Sequence, residues 1–124
     1  MDEREARMAL CCAVEPGSLD ATAAVAEHGA AAYLESLRDP GSRSRWARRA
    51  RVLDLEQVRR ATRSNRLRFV IPGDDEWPDA LDVLVSGEPV QQMGGLPFGL
   101  WVKGEASLAG LTERAVAIVG SRAA

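Results

Sequence analysis

The sequence predicts an α+β protein in two parts, and three observations predict it. Apolar residues recur with a helical period from Glu3 to about Asn65. Beyond Asn65 the period gives way to short, continuous apolar runs of the kind that form buried strands. Proline and glycine then punctuate the chain at Pro16-Gly17, Gly29, Pro40-Gly41 and Pro72-Gly73, which sets the element boundaries.

In the first region Ala6, Ala9, Leu10, Ala13 and Val14 line one face of a helix over residues 3–15. Ser18 is placed to cap a second helix with a stripe of Ala21, Val25 and Ala26, and His28 just before Gly29 suits a helix C-terminus. A third helix carries Tyr33, Leu34 and Leu37. Ser42 or Ser44 caps a fourth, in which Trp46, Ala50 and Leu53 repeat on one side and Arg45, Arg48, Arg49 and Arg51 occupy the remainder. A fifth starts near Asp54 and buries Leu55, Val58 and Thr62. It places Arg59, Arg63 and Arg66 on one stripe about 60° wide, and sets Glu56 four residues before Arg60.

In the second region residues 67–71, 98–103 and 115–119 are expected to be strands of a parallel, doubly covered sheet. Between them lie a short helix begun by Pro78, with Asp74, Asp75 and Glu76 favouring its N-terminus, a loop over residues 87–97, and one helical turn over 107–111. Trp77 and Trp101 are expected in the core. The last ten residues are expected to pack poorly, because a lone strand lacks neighbours.

Of the 124 residues, 46% are hydrophobic and 27% charged, and no apolar stretch approaches the roughly 20 residues that span a bilayer. The acidic start, Met1-Asp2-Glu3, lacks the features of a secretion signal, so a cytoplasmic protein without membrane partners is expected. Cys11 and Cys12 are adjacent and imply no disulfide framework, and with His28 the single histidine no zinc or other metal site is assembled. No cofactor motif and no catalytic nucleophile with a partner base is found, and the chain reads as a non-enzyme. The net charge of −2 conceals an asymmetry: residues 38–68 hold eleven arginines and three acids, whereas residues 72–93 hold six acids and no basic residue. Arginines on one face can neutralise phosphates, remain merely solvated, or dock the acidic segment. An accessory basic surface at Arg59, Arg63 and Arg66 is one of these readings.

The chain closes on VAIVG followed by Ser121-Arg122. A glycine there permits close backbone approach, a hydroxyl can donate to a phosphate oxygen, and a guanidinium can clamp one with two hydrogen bonds. Four stretches in order, RFVIPGDDEWPDALDVL, GLPFGLWVKG, a short leucine-bearing turn and RAVAIVGSRAA, resemble the DNA-processing protein A family of bacteria (DprA, also called Smf). The resemblance implies a helical domain of the sterile-alpha-motif-like (SAM-like) or helix-hairpin-helix-like kind over residues 1–65. It implies the first strands of a Rossmann-like domain over residues 66–124. It further implies a non-enzymatic protein that binds single-stranded DNA and loads the RecA recombinase in natural transformation, with Gly120, Ser121 and Arg122 touching DNA phosphates. The family's homodimer and RecA contacts are expected in regions that follow, so the chain is expected to be an N-terminal piece. The alternative expectation is a nucleotide- or sugar-phosphate-binding Rossmann-type enzyme, of the lysine-decarboxylase-like phosphoribohydrolase kind, whose fingerprint begins at Gly120.

Overall fold

Helix caps are written into the sequence and determine where the chain turns. Asp2 accepts from the Glu5 amide while the Glu5 carboxylate accepts from the Asp2 amide, and this capping box starts α1 (Glu3–Ala13). Ser18 caps α2 (Leu19–His28), and Gly29, at φ 85°, ends it and begins α3 (Ala30–Arg38). The first amide of α3 donates to the Glu3 carboxylate at 3.1 Å, so a side chain from α1 serves as its cap. A short α4 (Ala47–Val52) follows, then α5 (Leu55–Ser64), capped by Asp54. The structure, a computed structural model, describes residues 1–122.

The core lies among these helices. Ala6, Ala9, Leu10, Ala13 and Val14 of the first helix and its end meet Ala21, Val25, Ala30, Leu34, Leu37, Trp46 and Ala50. The alanines let the helix axes approach closely, and Leu10 and Leu34 fill the space between them. Phe98, from far along the chain, belongs to the same cluster.

The second region contributes β1 (Leu67–Val70), a 3-10 turn at Asp79–Asp82, α6 (Val83–Ser86), β2 (Leu100–Lys103) and α7 (Leu108–Thr112). The architecture is α+β, with one two-stranded sheet among the described residues. Its strands are antiparallel, with Leu67 opposite Lys103 and Val70 opposite Leu100, and not parallel as the apolar runs predict. Residues 71–99 explain the difference. They contain only the 3-10 turn and one turn of α6, and no helix long enough to lie across a sheet as a parallel crossover does. The expected third strand is also corrected: residues 115–119 form no strand and lie in solvent, with Ile118 93% exposed. The segment pairs with neither open edge of the β1–β2 sheet, so its backbone has no ladder to join. The exposure of residues 115–122 agrees with the expectation of poor packing for the last ten residues, of which Ala123 and Ala124 lie outside the described residues.

Polar contacts lock the two regions together. Arg4 of α1 donates to the Phe69 carbonyl and to both oxygens of Asp74. Arg7 donates to the Phe98 carbonyl and Cys11 to that of Gly99. The Trp101 indole donates to the Thr62 hydroxyl of α5 at 3.1 Å. No helix among the described residues is long and apolar enough to cross a membrane.

Candidate nucleic-acid interface

Gly120, Ser121 and Arg122 are exposed at the end of an extended stretch. A side-chain carbon added at Gly120 would meet no atom within 4 Å, so the backbone there is open to close approach. The edge of a parallel sheet, which the sequence places beneath this turn, is not formed by the described residues.

The stripe of Arg59, Arg63 and Arg66 is brought together only in part. Arg59 donates to Glu5 at 2.8 Å and also lies 3.8 Å from Glu56, and Arg63 is 3.2 Å from the same Glu56. Glu56 thus pairs with Arg59 and Arg63 and not with Arg60. Arg66 is exposed at a φ of 55° as the chain turns into β1, without an ion pair among the described residues. Two of the three cations are therefore already partnered by carboxylates.

The residues that carry the resemblance around β1 act as braces. Arg68 forms a two-pronged pair with Glu76 and donates to the carbonyls of Gly104 and Ala106. Glu76 in turn accepts from the Leu108 amide at the start of α7. Hydrogen bonds from Arg68, then from that amide, hold the Glu76 carboxyl below its ordinary range. Arg4 does the same to Asp74, with a smaller contribution from the Ile71 amide. Trp77 is buried as expected, and Trp101 lies 4.7 Å from Phe69, ring centre to ring centre. The expected attraction between basic and acidic segments is thus realised at one point, Arg68 with Glu76.

On and before α4 the situation is different. Arg43, Arg45, Arg48 and Arg49 are exposed, and none has a carboxylate partner among the described residues. The Arg45 guanidinium lies 4.5 Å from the centre of the Trp46 ring and that of Arg49 lies 5.6 Å from it. Trp46 itself is 8% exposed and faces the core. Arg38 and Arg51, by contrast, are spent on backbone carbonyls of Ala50, Asp39 and Ser42. Helical periodicity identifies a basic face here. The two guanidiniums sharing one ring depend on α4 starting only at Ala47, which periodicity does not define.

Elsewhere, a cleft of about 720 Å³ is lined by Asp74, Asp75, Asp79 and Glu113. That charge repels a phosphate. No cluster of three potential metal ligands occurs among the described residues. Burial, reinforced by neighbouring Cys12, pushes the Cys11 thiol up to about 12, so it is protonated at neutral pH. No protein-family model matches this chain, and no curated protein or solved structure matches it.

Proposed function

We propose that the chain belongs to a non-enzymatic cytoplasmic protein that binds single-stranded DNA and loads the RecA recombinase during DNA uptake. In this reading residues 1–65 are its SAM-like or helix-hairpin-helix-like domain, and the residues from 66 onward open a Rossmann-like domain of a homodimeric parent. The stretches resembling the DNA-processing protein A family motivate the proposal. The observation that carries it is the exposed Gly120-Ser121-Arg122 segment, where an open glycine precedes a hydroxyl-bearing residue and then Arg122, whose guanidinium has no ion pair among the described residues. A phosphate oxygen can approach the Gly120 backbone without steric hindrance while Arg122 supplies the charge.

The test is a fluorescence anisotropy titration with labelled oligo-dT across a salt series, comparing the chain with Arg122→Gln. Loss of one phosphate contact should lower the log-log salt slope by about 0.7 and weaken binding at 0.1 M salt by about fivefold. An unchanged slope and affinity overturns the assignment of Arg122. RecA loading is checked by RecA ATPase on oligonucleotide precoated with single-strand-binding protein. No acceleration by the chain or by a version extended beyond Ala124 overturns the recombinase part.

A further inference from the structure

We propose that Arg45, Arg48 and Arg49, around Trp46, form a second phosphodiester-binding surface, separate from the Gly120-Ser121-Arg122 segment. The choice of single-stranded DNA as its occupant rests on the function proposed above.

Geometry separates this surface from the other arginines. Both guanidiniums over Trp46 are tied to one ring, so they stand at most about 10 Å apart, the sum of their two distances to its centre. Neither has a carboxylate partner among the described residues to offset the other's charge. Like charges within that bound and without an ion pair among the described residues favour an anion that can bridge them, and the indole face restricts where both can swing. Arg48 adds a third exposed charge on the same short helix. Glu15 and Asp20 line a cleft with Arg45, Gln91 and Gln92 but form no ion pair with it. Arg59 and Arg63 are already neutralised, and Arg38 and Arg51 hold the backbone. Arg60 and Arg66 also have no ion pair among the described residues, but only before and on α4 do unpaired arginines share one aromatic ring.

Burial of Trp46 decides the mode of contact. Its ring is covered by the core and by arginines, so it is not a platform on which bases stack. The surface accordingly contacts phosphates and reads no sequence. A strand of DNA, with a charge on every nucleotide, matches several unpaired cations better than acids scattered over loops. In the acidic segment of a second copy, Asp74 and Glu76 are already bound internally.

The experiment is an oligo-dT anisotropy titration over a salt series. It compares the chain with R45Q/R48Q/R49Q, with the corresponding triple lysine variant, with R59Q/R63Q and with R122Q. Loss of three phosphate contacts should reduce the log-log slope by about 2 and the affinity at 0.1 M salt by about 100-fold relative to the 1 M reference. The lysine variant should keep the slope, and R59Q/R63Q should leave it unchanged. An unchanged slope in the triple glutamine variant overturns the proposal. So does an equal loss in the lysine variant accompanied by a lost far-ultraviolet helical signal, since the arginines would then be structural. Sedimentation showing a dimer that the triple glutamine variant disperses, with DNA binding intact, would assign the surface to a second copy and also overturn it. If only R122Q weakens binding, this inference fails and the proposed function stands. If the unsubstituted chain binds no DNA at low salt, both fail.

Discussion

Gly99 sits beneath the Phe69 ring with no room for a methyl group. A carbon added there would abut Cζ of Phe69 and lie 2.7 and 2.9 Å from Cε1 and Cε2. Ordinary carbon contacts are about 3.5–4.0 Å, so in Gly99→Ala the ring must retreat by roughly 1 Å. It has little freedom to do so: Phe69 is only 7% exposed and packs on Trp101, which is anchored by its hydrogen bond to Thr62. Overpacking of this kind costs about 1–3 kcal/mol. For a chain of this size about 4 °C of Tm accompanies each kcal/mol, so Tm should fall by about 4–12 °C. Thermal unfolding followed by far-ultraviolet circular dichroism measures it, and urea unfolding with an unchanged m-value confirms that stability alone has moved. In a Phe69→Leu background the same substitution should cost less than half as much, because the ring that blocks it is gone. A Gly99→Ala protein within about 2 °C of the parent, or an equal cost in both backgrounds, would refute the reasoning.

Asp74→Asn should lower stability at neutral pH by no more than about 1 kcal/mol, since its pair with Arg4 is half in water. The Asp74 carboxyl has a lowered folded pKa, so its contribution is present above the unfolded value near 3.9 and is lost as pH falls through the folded one. Urea midpoints of the two proteins should therefore differ at pH 7 and converge in strong acid. Gln91 and Gln92 form a tight turn with φ of 52° and 63° between Val90 and Met93. Replacing them by Asn and Gly, which accept that backbone, should raise stability by about 1 kcal/mol, read as a higher Tm. At pH 8 a disulfide reagent should label Cys12, which is exposed, and leave Cys11 untouched until urea is added. Labelling of both thiols in the native protein would contradict the burial of Cys11.

The helical half of the fold was largely legible because its signals are local. The stripe of Ala6, Ala9, Leu10 and Ala13, the Ser18 and Asp54 caps and the Gly29 stop all act within a few residues. Direction and partnership of strands are not local. LRFV and LWVK read as strands, but their antiparallel pairing depends on what the 29 residues between them fail to form. An apolar run is likewise necessary but not sufficient for a strand, as residues 115–119 demonstrate by lying in solvent. At the candidate interface the positions of the arginines were legible, and which of them are free was not. For Arg59 that difference arises from a carboxylate far away in the chain, Glu5, and for Arg38 and Arg51 from backbone carbonyls that the fold brings within reach.

The Glu76 carboxylate joins two motions that would otherwise be independent. It holds Arg68 of β1 on one side and the Leu108 amide that opens α7 on the other, while Arg68 also grips the carbonyls of Gly104 and Ala106. If α7 frays, Glu76 loses one anchor and the linker before it loosens; if the loop after β1 lifts, α7 loses its external acceptor. Opening of either segment therefore weakens the closed state of the other. Amide hydrogens at Leu108 and along residues 71–77 should exchange at a shared rate, as one cooperative unit at the margin of the fold.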